Sequence, residues 1–369
     1  MSRGLGDVYK RQDIYGNVPY SEAGLGYYQQ IYKPKYDNQE TIYKDMIQQV
    51  KDGVNLLNAN NPAIDGDLFY DGDINKWKKF GGSLLLRIGM RLSEVAPDLA
   101  KQTVADAVTI GVMSQPEDIC LLRHDGSGKN AFKNPLSFRY LDDNFIESDA
   151  VKIGKTFMDY LKKTKDPRIH VYCSLKDGNT EFDKQFGLPN GYDSHTIADA
   201  PSGSFVGLEN TSNFNINTIL RLDAPTIFLM PSETKLLLAE AVLRNWTNGN
   251  AEVLYKEAIT SSMKEQEIAY GTQGKITDEE IETYLAQNLF STANNTEKLQ
   301  IIGEQYWVAT FINGYESYAN WRRTGYPKLI PTNYSGSMSP GVIPTRLPYP
   351  TDEYSICLLY TSDAADDKA

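Results

Sequence analysis

The chain is 369 residues long, 41% hydrophobic, and carries a formal net charge of −11 at pH 7. That length allows one large domain or two small ones around a real core, and the acidic balance excludes the basic surface that nucleic-acid phosphates require. No run of 18 apolar residues occurs, so no segment reads as a membrane-spanning helix.

The two ends do not read as native protein. Residues 7–12 are DVYKRQ, which GAT GTG TAT AAG AGA CAG encodes. The reverse complement of that run, read one base out of frame, encodes CLLYTS, residues 357–362. The run resembles the end of a transposon adapter used to build sequencing libraries. Residues 1–12 and 357–369 are therefore expected to be translated adapter and are set aside, leaving residues 13–356 as a single domain open at both ends. The charge balance survives the exclusion. Arg3, Lys10 and Arg11 against Asp7 cancel Asp363, Asp366 and Asp367 against Lys368. Cys120 and Cys173 remain, too few for a disulfide framework or a metal site.

The genuine chain reads as helices separated by long irregular tracts. "DNQETIYKDMIQQVKDGVNLLNANN" predicts a helix over about 38–58. Its Ile42, Met46, Val50, Val54 and Leu57 are spaced 4, 4, 4 and 3 on one face, with Asp37 or Asn38 as cap. "DINKWKKFGGSLLLRIGMRLSEV" predicts a second helix, with Trp77, Phe80, Leu84, Ile88, Leu92 and Val95 on one face, capped by Asp73 and stopped by Pro97. Gly81 and Gly82 cost such a helix roughly 1 kcal/mol each relative to Ala, so a neighbour is expected to approach its backbone there. Arg87 and Arg91, one turn apart on another face, are expected to pair with carboxylates of the next helix, with a ligand-binding Arg pair as the alternative. Further helices are predicted near 97–111 and 149–163.

Two tracts rich in Gly, Pro, Asn and Ser interrupt this pattern. One is "RHDGSGKNAFKNPLSFRYLDDN"; the other runs from about Asp166 to Pro225 and contains "GLPNGYDSHT" and "APSGSF". Loops this long inside a compact domain are usually functional. Helices then resume with "PSETKLLLAEAVLRNW", for which Ser232 is the expected cap, "GNAEVLYKEAITSSMKEQEIAY" and "TDEEIETYLAQNL". "TEKLQIIGEQYWVATFINGYESYANWRRTGYP" reads as one last helix. Its Trp307, Phe311, Tyr315, Tyr318 and Arg322 are spaced 4, 4, 3 and 4, and Gly325 and Pro327 end it. Helix pairs of this size suit tetratricopeptide repeats of about 34 residues, although no clean self-similarity at that period is present.

Catalytic patterns are missing from the sequence. His124, His170 and His195 have no HExxH spacing, "DGSGK" lacks the phosphate-loop spacing and a preceding apolar strand, and no GxSxG occurs. Asp142 with Asp143, and Asp278 with Glu279 and Glu280, are adjacent in sequence, whereas a glycosidase pair faces across roughly 5–10 Å. Such runs read as solvated faces or helix N-termini. Asp65, Asp67, Asp71 and Asp73 raise calcium but do not match its usual loop. No catalytic residue, cofactor or metal is expected.

Six stretches together carry a resemblance: "WKKFGGSLLLRIGMRLSEV", "DPRIHVY", "GLPNG", "ETKLLLAEAVLRNW", "YWVATFINGYESYANWRRTGYP" and "IPTRLPYPTDEYS". In this order they resemble the SusD/RagB family of nutrient-binding outer-membrane lipoproteins, from "YGNVPYSEA" to Ser355, in the branch bearing "WRRTGYP" and "RLPYP". The resemblance implies an all-α-dominated fold. Four tetratricopeptide-like helix pairs would form a scaffold, and the irregular tracts would carry the ligand site. It further implies a non-enzymatic role on the outer face of the outer membrane. A lipidated N-terminal cysteine, missing here, would anchor a lid on a SusC-type TonB-dependent transporter. That lid would capture an oligosaccharide, or in some members a peptide, for import. Trp77, Arg87, Arg91, Glu240, Trp307, Trp321, Arg322 and Arg323 are then scaffold residues.

Sugars are held by aromatic rings against their C–H faces and by polar groups at their hydroxyls. Tyr, which outnumbers Phe by 24 to 13, joins an apolar ring to a polar tip and suits such platforms. "FRYLDDN" and "NGYDSHT" carry both chemistries, so Arg139, Tyr140, Asp142, Asn144, Tyr192, Asp193 and His195 are the expected ligand-binding residues. Ordinary turn-forming loop residues are the competing account. Loss of the ring at Tyr140 or Tyr192 is expected to weaken binding without unfolding the domain. Two other functions have distinct signatures. An intracellular tetratricopeptide scaffold for peptides requires short loops and a regular repeat, and a helical glycoside hydrolase requires opposed carboxylates.

Overall fold

The computed structural model describes residues 11–58, 65–142, 151–192, 195–290, 294–332 and 338–350. The chain divides into two compact units, Met1–Gly53 with Val342–Ala369, and Val54–Gly341.

In the first unit β1 (Val18–Pro19) pairs antiparallel with β2 (Tyr36–Asp37), and α1 (Gly26–Gln29) lies between them in sequence. The long helix α2 (Gln39–Leu56) follows, and Ile42, Met46, Val50 and Val54 are buried as their spacing predicts. Its start is capped by Asn38, whose Oδ1 accepts from the Glu40 N–H at 2.8 Å. Asp37 is engaged elsewhere, accepting from the N–H groups of Tyr20 at 3.1 Å and Ser21 at 2.6 Å. The "RLPYP" motif closes this unit. Tyr349 stacks on Tyr15 at 5.9 Å, meets Tyr36 edge-on at 5.6 Å, and donates to the Asn17 carbonyl at 2.5 Å. Gln12, expected to be adapter, is buried, and its carbonyl accepts from Gln39 Nε2 at 3.1 Å.

The second unit is dominated by helices. α3 (Ile74–Arg91) and α4 (Pro97–Ile110) form a pair. After β3 (Cys120–Leu122) comes the loop-rich middle, containing α5 (Pro135–Asp142), α6 (Lys155–Thr164), α7 (Ile169–Tyr172), β4 (Cys173–Ser174) and β5 (Asn213–Phe214). β6 (Thr226–Leu229) returns to pair with β3, and β4 pairs with β5. Helices α8 (Pro231–Leu243) and α9 (Ala251–Tyr270) form a second pair. α10 (Asp278–Gln287) follows, then the pair α11 (Asn295–Ala309) and α12 (Gly314–Thr324).

The glycines of α3 do what their cost implies. A Cβ on Gly82 would lie 2.0 Å from the Gly111 carbonyl oxygen at the end of α4, and one on Gly81 would lie 2.3 Å from Val54 Cγ2. Pro97 does not stop α3. The helix ends at Arg91, a turn carries the chain to Val95, and Pro97 opens α4, where its missing N–H costs nothing. The predicted last helix is two. Thr310 turns its hydroxyl back to the Tyr306 carbonyl at 2.7 Å and meets Ser317 Oγ at 2.9 Å, and the chain restarts at Asn313–Gly314. Trp307 and Tyr318 therefore do not share one helical face.

Buried ion pairs fasten the helices together. Arg87 grips Glu233 with two bonds, Nε to Oε1 at 2.5 Å and Nη2 to Oε2 at 2.7 Å, while Arg91 pairs with Glu316. The carboxylates come from α8 and α12 rather than from the next helix. Arg323 holds Glu240 in the same two-bonded way at 2.5 and 2.7 Å. Arg168 of the "DPRIHVY" motif is fully buried and bonds Asp166, Ser262 and Gln305, tying the loop tract to α9 and α11.

Ser232 is not the cap of α8. It sits in the first turn behind Met230 and Pro231, and its N–H and hydroxyl both donate to Glu265 of α9, at 2.8 and 2.6 Å. Burial pushes the Glu265 carboxyl up to about 7, although the Ser232 donors and Lys235 pull it down. The folded chain therefore holds a proton that an ordinary glutamate releases near 4.5. The stabilisation from that proton is complete below the ordinary value and is lost as pH rises to about 7, on the order of 3 kcal/mol in all. Glu265→Gln removes the charge, keeps one oxygen for the Ser232 N–H, and offers its amide N–H to the Ser232 hydroxyl, which then accepts. Denaturant melts of parent and variant across pH 4–8 are expected to show the variant gaining relative stability as pH rises; a constant difference would contradict the assignment.

Candidate functional site

The two predicted loops are rooted on one short segment. Ser212 N donates to the Phe186 carbonyl at 2.8 Å, the Ile153 N–H donates to the Ser212 carbonyl at 2.8 Å, and Leu188 N donates back to Ile153 at 2.7 Å. Two residues on, Phe214 takes the Tyr140 ring edge-on at 5.5 Å and meets Phe311 at 5.4 Å. The bases of "FRYLDDN" and "NGYDSHT" thus share the 211–214 segment and the aromatic stack of Phe157, Trp307 and Phe311 behind it.

The predicted residues separate by burial. Arg139 and His195 are exposed and Tyr192 is half-buried. Tyr140 is 6% exposed, and burial raises its hydroxyl to about 12. It serves as packing under the loop and not as an open platform, because α5 turns its 140 position inward against Phe214. Asn144 and Asp193 lie outside the described residues, as does the side chain of Asp142. Tyr192 follows Gly191, which has φ +87° and whose Cβ would lie 2.8 Å from Thr332. Only glycine allows that turn, so Gly191 sets where Tyr192 emerges.

The motif residues assigned to scaffold are held by one another. Trp77 Nε1 donates to Asp67 at 2.8 Å, and Asp67 also accepts from the N–H groups of Phe69 and Gly72. These donors occupy the acidic stretch that had raised calcium, and among the described residues no three His, Cys, Asp or Glu side chains group as a metal site. Trp321 stacks on Tyr318 at 6.2 Å, with Arg322 over the same ring at 5.0 Å.

Sequence reasoning missed two surface features. Tyr27, Tyr28 and Tyr32 are 91%, 63% and 77% exposed in the first unit. In the second, an open cleft of about 580 Å³ runs along α10, lined by Phe182 and His170 opposite Glu279, Thr283 and Gln287, with Tyr284 among its lining. The acidic start of α10 reads as a capped N-terminus, which it is, since Thr277 and Glu280 form a capping box. The i, i+4, i+8 spacing of its polar residues was the overlooked signal.

The family model described as starch-binding associating with outer membrane matches residues 8–350. The chain belongs to the SusD-like family. A solved structure named a chitin-binding protein is 32% identical, with a TM-score of 0.79 over 95% of this chain and 73% of its own. The Bacteroidetes AC2a SusD-like protein is 27% identical, with a TM-score of 0.78 over 98% and 78%. A SusD homologue from Bacteroides uniformis is 25% identical, with a TM-score of 0.76 over 95% and 73%. A comparison with curated proteins returns no match. The SusD-like fold is all-α-dominated and tetratricopeptide-like, and the helix pairs of the second unit are its scaffold.

Burial distinguishes the two tyrosines. Tyr140→Ala is expected to cost about 3 kcal/mol of stability, as for other aromatic truncations in a core, and Tyr192→Ala less than half of that. Chemical denaturation of each variant measures it; equal losses would show that Tyr192 is packed as deeply as Tyr140.

Proposed function

We propose that this SusD-like chain is a glycan-binding protein of the outer face of the outer membrane. It captures an oligosaccharide and passes it to a SusC-type TonB-dependent transporter, without catalysis. Residues 13–356 act in this as one ligand-binding domain, held at the surface by an N-terminal lipid. The observation that carries the glycan assignment is the 32% identity to a chitin-binding protein across 95% of the chain. Oligomers of N-acetylglucosamine are accordingly the first ligand class, ahead of the starch oligomers of the family description.

The site assigned to that ligand is the surface of the two co-rooted loops. Tyr192 supplies the ring. Arg139, Asp142, Asn144, Asp193 and His195 supply hydrogen bonds to hydroxyl and acetamido groups. Tyr140 supports the loop from beneath. Such a site is shallow and hydrated, so single contacts contribute modestly.

Titration calorimetry with chitotetraose and maltotetraose tests this. Chitotetraose is expected to bind more tightly, and Tyr192→Ala is expected to weaken it about fivefold or more, the value of one ring contact. Binding of neither sugar would contradict the function, and an unchanged affinity in Tyr192→Ala would move the site off this loop.

A further inference from the structure

We propose that the cleft along α10 is a second glycan subsite, taking neutral or amino sugars and excluding acidic ones. The inference rests on the chain being a glycan-binding protein and adds a surface on different elements from the loops around Tyr192.

The cleft holds about 580 Å³ between α10 on one side and the 165–170 and 180–182 segments on the other. Along α10, Glu279, Thr283 and Gln287 recur every fourth residue, so all three project from one stripe, about 6 Å apart along the axis. That step is comparable with the advance of one pyranose along an extended glycan. Among the described residues no protein group bonds these three side chains, whereas neighbouring Glu280 is committed to the N–H and hydroxyl of Thr277 at 2.8 and 2.7 Å. A merely solvated helix face would be convex. This one faces the half-buried ring of Phe182 and the imidazole of His170 across a concavity. A sugar seated there can lay its C–H face on Phe182 and present hydroxyls to a carboxylate, a hydroxyl and an amide in register.

The cleft wall beneath is fixed in place. Tyr284 is 2% exposed, and its hydroxyl accepts from Gln305 Nε2 at 2.7 Å. Gln305 in turn accepts from fully buried Arg168 at 2.7 Å. The helix that carries the polar stripe is therefore anchored, and only the exposed side chains of Glu279, Thr283 and Gln287 have to order when a ligand arrives. The lining carries two carboxylates, Glu279 and Glu280, against the single ammonium of Lys165. A uronate or sulfated sugar would bring like charge against it, and that repulsion sets the selectivity.

The test uses the full chain with chitotetraose and trigalacturonate in titration calorimetry. Thr283→Arg fills the cleft from an exposed position, and Gln287→Ala removes one hydrogen-bonding group. Both variants are checked for an unchanged melting temperature. The expected result is that the parent binds chitotetraose at two sites, that Thr283→Arg loses one of them, and that Gln287→Ala weakens the same one. Glu279→Lys is expected to gain measurable trigalacturonate binding. If Tyr192→Ala weakens chitotetraose while Thr283→Arg and Gln287→Ala leave the isotherm unchanged, the cleft assignment is overturned and the proposed function stands. If the parent binds neither chitotetraose nor maltotetraose, both fall together; if it binds maltotetraose alone, the cleft assignment falls and the proposed function stands.

Discussion

The helix pairs of the second unit are joined to one another by a buried ion cluster. Arg87 and Arg91 of α3 meet Glu233 of α8 and Glu316 of α12, and the Tyr306 hydroxyl of α11 donates to Glu233 at 2.8 Å. Glu233 lies 146 positions from Arg87, so the cluster joins helices that local sequence cannot align. Taking these charges out of water is costly, and the attraction between them offsets the cost only when the geometry is right. Burial pushes the Glu233 carboxyl above its ordinary range, although Arg87 pulls it down. Such a cluster adds little net stability. It acts as a register pin, because any slip of α3 against α8 or α12 leaves a charge buried without its partner.

The loop tract is held to these helices by contacts outside the cluster. The middle tract has little regular structure. It is tied down through Arg168 to α9 and α11, through Phe214 to the aromatic stack, and through Ser212 to the 153–188 backbone bonds. Loop residues such as Tyr192 therefore leave fixed roots. The α10 cleft depends on the same arrangement, since Tyr284 shares Gln305 with Arg168.

Much of the helical architecture was legible in the sequence because apolar periodicity and end signals report it directly. Ile42 through Val54, Asp73 as the cap of α3, and Gly325 as the left-handed end of α12 all stand where the pattern puts them. Partnership across long separations was not legible. Arg87 and Arg91 announced that carboxylates were needed but not which ones. Ser232 looked like a cap because capping residues and buried hydrogen-bonding residues share the same chemistry. Trp307 to Arg322 kept a helical spacing across a break at Thr310–Asn313 because an insertion of one tight turn preserves it approximately. The proposed site was less legible still. Tyr140 and Tyr192 have the same composition around them, and only the packing of Phe214 places one inside. The stripe on α10 was hidden because polar residues at helical spacing usually face water alone.

The central claim is that a scaffold locked by buried charge holds recognition groups on surfaces that do not themselves carry the fold. Hydrogen exchange of the full chain, with and without chitotetraose, tests it most directly. The account predicts that α3, α8 and α12 exchange slowly in both states, and that ligand adds protection only in the loop around Tyr192 and along α10. Rapid exchange in α3 without ligand, or ligand protection spread through α3, α8 and α12, would show that ligand organises the scaffold and would contradict the account.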